Sequence, residues 1–441
     1  MTKRAWCAAV ITVLSVGGAV GLSAGQAHWP QWRGPALNGV AAGDAPIEWS
    51  DSRNVGWNIE IPGRGFSSPV VWGDKLFLTT AVPTRSEGAS PEAGGGRGPG
   101  GNAGVQEHRF VVMAFDRLSG KPLWEQTAAT ATPHEGYHRL YGSFASNNPA
   151  TDGVRVYAFF GSQGLYAYDM NGTQIWKRDF NLRMKMRLQF GEGSAVVLHE
   201  GKLITVFDHQ EQGLLAVTDA ATGKPLWSIP RNEGSSWSTP LVVTHQGKKQ
   251  VVVTATPKVM AFDLETGKLA WEVTGLGLNP IPTPVQGGDV VYVMSGYRDP
   301  KLLAIRLGRT GDLTGTDAVL WEATRGLSYT ASPVLHDEIL YLLTDNGQLS
   351  ALDAKSGTPH YQQQRLPKPY NFKASPIAVN GRLYLASEEE DVLVVRAGPA
   401  YEVLATNTLQ GQSFIATPVV AAGDLYLRSR THLFRIARQA K

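Results

Sequence analysis

The chain alternates short apolar runs with polar turns. In one stretch Ser68-Pro69-Val70-Val71, Lys75-Leu76-Phe77-Leu78-Thr79, Phe110-Val111-Val112-Met113-Ala114-Phe115 and Pro122-Leu123-Trp124-Glu125 read as strands. Each is rich in β-branched or aromatic residues and bounded by Gly, Asp, Asn or Pro. Asp116-Arg117-Leu118-Ser119-Gly120 between the last two reads as a hairpin turn, because Gly tolerates positive φ and Asp bonds its own backbone. The same phrase recurs: Ala114-Phe115-Asp116, Ser119-Gly120, Trp124; then Ala167-Tyr168-Asp169, Asn171-Gly172, Trp176. It returns at Asp219, Thr222-Gly223 and Trp227, at Asp263, Thr266-Gly267 and Trp271, and in worn form at Asp353, Ser356-Gly357 and Tyr361.

A second anchor precedes each copy, a small residue and a proline opening an apolar run. Pro240, Pro284, Pro333, Pro376 and Pro418 stand 44, 49, 43 and 42 residues apart. Several short strands repeated at about 45 residues predict an all-β chain folded as a β-propeller. Outer-strand positions fall at Trp57, Trp124, Trp176, Trp227, Trp271, Trp321, Tyr361 and Leu404, which predicts eight blades. The recurrent Trp suits the seam between blades, as a large ring with one N–H to satisfy. The last unit, 417–438, has three strands before the chain ends. The expected fourth is Val55 to Ile61, which would join the termini in one blade and close the ring, removing both open edges.

Met1-Thr2-Lys3-Arg4, the apolar stretch 5–22 and Ser23-Ala24-Gly25-Gln26-Ala27 read as a signal peptide over 1–27, so a periplasmic or secreted location is expected. Residues 28–54 are expected to pack on the ring formed by 55–441. The Gly-rich stretch within 82–107 is expected to be a disordered insertion in the first blade. No later segment nears the ~20 apolar residues of a membrane span. The one cysteine, Cys7, falls in the leader, so the mature chain is expected to have no thiol and no disulfide. Losing Lys3 and Arg4 takes the basic residues from 41 to 39 against 38 acidic, a balance with no electrostatic case for nucleic acid. The mature protein is expected to be a monomer that meets a protein or small ligand at its funnel face.

Few residues carry candidate chemistry. His134-Glu135-Gly136-Tyr137-His138 has the zinc-protease spacing, but that pattern works only on a helix, and Pro133 and Gly136 place it in a loop. His134 and His138 with Asp208 and His209 are retained as a candidate metal set, and Glu192 lies between them in sequence. In a ring of blades any site lies in the central funnel, where the expected lining is Ser146, Asn147, Glu192, Ser236, Trp237, Tyr297, Arg298, Asp345 and Lys373.

The repeat phrases together with Trp29-Pro30-Gln31-Trp32-Arg33-Gly34-Pro35 resemble those of the PQQ-like (pyrroloquinoline quinone repeat) β-propeller proteins, over nearly all of the mature chain. The resemblance implies one of two functions. Some members are non-catalytic propellers of outer-membrane protein assembly, and others are quinoprotein dehydrogenases that hold the quinone and Ca²⁺ in the funnel. The dehydrogenases' adjacent cysteines are missing, and their Ca²⁺ ligand set and aspartate base have no match residue by residue. Under that second reading Trp237 would stack on the quinone and Glu192 would ligate the metal. The expectation is a non-catalytic binding or scaffold propeller without cofactor, with a quinone-dependent oxidoreductase holding PQQ and calcium as the alternative.

Overall fold

The structure, a computed structural model, describes residues 28–85 and 105–437. The expected signal peptide and Cys7 lie outside these, as does most of the Gly-rich insertion. Eight sheets follow one another around a hub. Blade 1 comprises Val70–Trp72, Lys75–Pro83, His108–Asp116 and Pro122–Ala131, and blade 2 Ala150–Thr151, Arg155–Phe159, Leu165–Asp169 and Gln174–Arg178. Blades 3 to 7 begin at Val197, Leu241, Val285, Val334 and Ile377, each running from an innermost to an outermost strand. Blade 8 has three strands at the end of the chain, Val419–Ala421, Asp424–Arg428 and His432–Ile436. Its fourth is Val55–Glu60, antiparallel to His432–Ile436 with Ile59 opposite Leu433. Val82 and Pro83, expected in the insertion, instead extend the strand of blade 1 opposite Arg109 and His108, because the ladder continues to pair there.

The repeat phrase acquires its physical meaning at the seams. At Asp116, Asp219, Asp263 and Asp353 the turn Asp accepts from the backbone and hydroxyl three residues on, as Asp263 does from Thr266 at 2.8 and 2.7 Å, while Asp169 accepts the backbone N–H of Asn171 and Thr173. The following Gly then adopts positive φ and lies flat on the Trp of the preceding blade: Gly120 on Trp57, Gly172 on Trp124, Gly223 on Trp176, Gly267 on Trp227 and Gly357 on Trp321. The same indoles donate Nε1–H to a carbonyl of that next blade, of Arg117, Met170, Ala220, Leu264 and Ala354, at 2.9–3.2 Å. Such a bond contributes about 1 kcal/mol.

Trp271 departs from the pattern. Blade 5 carries a longer connection whose Gly311–Asp312 pairs parallel with Trp271 and Glu272, covering the outermost strand of blade 4. Trp271 is therefore fully buried and turns its N–H to Gln250 Oε1 instead.

At the hub, the small polar residue before each proline explains itself. Thr283, Ser332 and Ser375 each donate a backbone N–H to the side-chain oxygen of the equivalent residue one blade on, Ser332, Ser375 and Thr417, at 2.9–3.2 Å. Ser68 does the same to Asn148. Proline itself needs no donor at a strand's first position.

Residues 28–41 cross this hub. Trp29 pairs with Val71 of blade 1, the Pro30 carbonyl accepts from Thr151 of blade 2, and Gln31 Oε1 accepts from Leu198 of blade 3. Arg33 reaches the Pro333 carbonyl ahead of blade 6, and Val40–Ala41 runs parallel to Ala378–Val379 of blade 7. Among the described residues no helix is long and apolar enough to cross a membrane.

Candidate functional site

The residues that precede the innermost strands line a cavity of about 570 Å³ at the hub. Six of the nine residues expected there do so: Ser146, Glu192, Trp237, Tyr297, Asp345 and Lys373. Asn147 and Ser236 are buried behind the wall, bonded to the Ser194 carbonyl and to the Thr254 and Pro280 carbonyls, and Arg298 stays outside on the rim. Among the rest of the lining are Trp32, Phe66, Tyr141, Phe190, Tyr329 and His138. Tyr297 and Tyr329 stack with centroids 5.0 Å apart, and Tyr141 stacks on His138 at 4.7 Å. Trp237 donates Nε1–H to the Gly191 carbonyl at 2.7 Å, which fixes the ring at the cavity wall. Trp32, from the segment that crosses the hub, also lines the cavity.

Polar groups here are already engaged. Asp345 accepts from the backbone N–H of Tyr329 and Thr330, from the Thr330 hydroxyl, and from Lys373 Nζ at 2.8 Å. Lys373 also faces Glu388 at 3.8 Å, and Arg430 faces Glu388 at 3.5 Å. Glu192 accepts from Ser162 through both oxygens, 2.7 Å from the backbone N–H and 2.6 Å from the hydroxyl. Burial outweighs those bonds and pushes the Glu192 carboxyl above the usual range. Burial also pushes His138 below the usual histidine range, reinforced by Lys373, Arg64 and Arg139. His138 Nδ1 accepts from the N–H of Leu140 and Tyr141, so the neutral ring carries its proton on Nε2.

The structure does not assemble the expected metal set. His134 Nε2 bonds the Met184 carbonyl, and His138 sits in a single turn closed by Gly142 N–H to its own carbonyl, not on a helix. Asp208 is buried in a two-point pair with Arg231, at 2.6 and 3.0 Å, and His209 Nδ1 accepts backbone N–H groups. Each side chain is held by its own local partners. Among the described residues no group of three or more His, Cys, Asp or Glu is arranged to hold a metal.

Calcium takes 6–8 oxygen donors, drawn from carboxylates, backbone and amide carbonyls and water. The funnel offers Glu192 and Asp345, the first bonded to Ser162 and the second to a lysine and three further donors. Asn148 and Asn279 add amides to the lining, but with both carboxylates already holding protein donors, Asp345 a lysine among them, the residues present do not fit that group, although Trp237 and Glu192 do meet in one cavity as expected.

Fold and cavity define an eight-bladed propeller with a funnel at its hub, lined in part by Trp32, Trp237, Tyr297 and Tyr329. The family model described as outer membrane protein assembly factor BamB matches residues 108–215, 171–319 and 211–440, and the chain belongs to this PQQ-like family. The outer membrane protein assembly factor BamB of Yersinia pestis is 23% identical over 343 residues, 74% of this chain and 79% of that one. Its counterpart in Moranella endobia is 25% identical over 247 residues, 44% of this chain and 62% of that one. BamB from Moraxella catarrhalis superposes with a TM-score of 0.57 at 14% identity, covering 86% of this chain and 95% of that one. Quinohemoprotein alcohol dehydrogenase from Comamonas testosteroni gives 0.62 at 12% identity, covering 94% and 81%. At these identities the likeness to both structures shows the fold alone.

Some of the site was hidden from sequence reasoning. Tyr141, Leu188, Tyr329 and the pair Arg64 and Arg430 were not expected in or around the funnel. Arg64 and Arg430 both donate to the Leu140 carbonyl, from opposite ends of the chain, and hold the loop that carries His138 and Tyr141. Only the blade order brings them together.

Proposed function

We propose that this chain is a non-catalytic binding propeller of outer-membrane protein assembly, working in the periplasm and holding a protein partner at the funnel face. The observation that carries this reading is the state of the funnel's two carboxylates. Asp345 is neutralised by Lys373, and Glu192 is held by Ser162, while Trp32, Trp237, Tyr297 and Tyr329 in the lining offer aromatic faces for contact. Membership of the assembly-factor family supports the process, and the expected signal peptide supports the compartment.

The test is genetic. Deleting the gene in its own bacterium lowers the amount of β-barrel protein in purified outer membranes, and expression from a plasmid restores it. Unchanged barrel levels in the deletion strain contradict the reading.

A further inference from the structure

The funnel's ligand class follows from charge that the chain leaves uncompensated around it. Two arginines are buried just behind its wall without a carboxylate partner, and add to its positive potential without reaching the cavity. Arg33, next to Trp32, donates to the carbonyls of Leu37, Asn38 and Pro333, and its Nη1 has no partner among the described residues. Arg428 donates to the Ser67 carbonyl and hydroxyl and to the Thr79 carbonyl, at 2.8, 2.6 and 2.9 Å, beside Phe66 and Ser68 of the lining. Burial lowers both to about 9, so both remain charged at neutral pH.

More positive charge surrounds the mouth. Arg64 bonds the carbonyls of Arg139, Leu140 and Gly142 and lies over Phe66 and Tyr137. Neither Arg64, Arg139 nor Arg187 makes an ion pair among the described residues. Lys373 and Arg430 are balanced by Asp345 and Glu388, and burial drives Glu192 toward its neutral form. A low-dielectric cleft concentrates the remaining positive potential.

The apolar surface also continues past the cavity. Leu188, Leu140 and Tyr141 are 58%, 47% and 37% exposed around the mouth. Leu188 and Gln189 are held in successive left-handed conformations, φ 52 and 53, a strained turn that keeps the Leu188 side chain in the open. A small molecule enclosed by the cavity would leave this rim uncovered, whereas a chain that runs over the mouth would bury it.

We infer that the funnel binds an extended acidic peptide segment with aromatic or aliphatic side chains. One apolar side chain enters between Trp237 and the Tyr297–Tyr329 stack, and carboxylates two residues to either side of it face Arg64, Arg139 and Arg187 at the mouth. Peptides supply both groups at the spacing of alternate residues. This inference rests on the protein-binding reading above and names the chemistry of the partner segment.

Fluorescence anisotropy with the purified protein tests it, using a labelled Gly-Asp-Ser-Phe-Ser-Asp-Gly peptide blocked at both ends, which places Phe and both Asp on one face when extended. The Asp peptide is expected to bind at least tenfold more tightly than its Asn counterpart, and the Lys counterpart not measurably. Raising NaCl from 0.05 to 0.5 M weakens the Asp peptide about tenfold, since screening acts on the exposed part of the field. Leu188→Asp and, separately, Arg187→Gln each weaken it several-fold without moving the thermal midpoint. Equal binding of the three peptides, no binding, or full competition by phenylacetate at the peptide's own concentration overturns the inference. If the peptides fail while the deletion strain still loses outer-membrane barrels, the inference falls and the assembly reading stands.

Discussion

Gly120 lies against the indole of Trp57, so that a Cβ at position 120 would sit 2.9 Å from Trp57 Cδ2. This contact joins the turn of blade 1 to the strand Val55–Glu60 that completes blade 8, and it repeats at four other seams. The glycine is required twice, by its φ of +73 and by the ring above it.

Those two requirements separate by mutation. Gly201 has the same φ of +73 with nothing within 4 Å of a Cβ. Gly201→Ala is expected to lose about 1 kcal/mol, the cost of a left-handed alanine. Gly120→Ala adds the clash and loses about 1–3 kcal/mol more. Urea midpoints measure both, and equal losses would show that the Trp57 contact contributes nothing.

Ring closure also rests on charge. Asp424 of blade 8 accepts from Arg117 of blade 1 at 3.1 Å and from Arg435 at 2.7 Å, with Arg117 and Asp424 almost buried. Asp424→Ala leaves the nearly buried Arg117 with only the exposed Asp74 at 3.6 Å as counter-charge, beside its bonds to the Gly73 carbonyl and the Tyr426 hydroxyl, and is expected to cost about 1–3 kcal/mol. Differential scanning calorimetry reads this as a lower melting temperature. A variant that melts with the parent would mean that blades 1 and 8 do not depend on this pair.

The raised carboxyl of Glu192 has a pH signature. Because burial lifts its folded pKa above the ordinary 4.5, the native state holds its proton more tightly than the unfolded chain. That contribution is fully present below pH 4.5 and is lost as pH rises through the folded value. Parent stability should therefore fall more between pH 4.5 and 7 than that of Glu192→Gln, which has no proton to lose. Urea titrations at both pH values test it, and parallel changes would show an ordinary carboxylate.

The seams and the site differed in how far the sequence revealed them. Asp263, Thr266 and Gly267 form a local turn with Trp271 four residues after the Gly, a spacing that recurs at Trp124, Trp176 and Trp227 and marks each blade. The placement of Glu192 and Trp237 in one cavity followed from counting blades. Leu188 was invisible because its left-handed conformation depends on a turn that no residue pattern advertises. The loop 138–142 was equally opaque, being pinned by Arg64 and Arg430 from the two ends of the chain. Asp208 and His209 resembled ligands by type, but Asp208 is consumed by Arg231, a partner 23 residues away that pairing across the blade brings to it.

The funnel is expected to hold its partner without redox chemistry. Calorimetric titration of the purified protein with pyrroloquinoline quinone and excess Ca²⁺, followed on the same sample by dye reduction with a panel of alcohols and aldoses, tests it most directly. No saturable quinone binding is expected below about 100 μM, because the funnel's two carboxylates are held by Ser162 and Lys373 rather than free to ligate calcium, and no dye reduction above the quinone-free control. Micromolar binding that Trp237→Ala abolishes, accompanied by turnover, would contradict it and make the chain a quinone-dependent dehydrogenase.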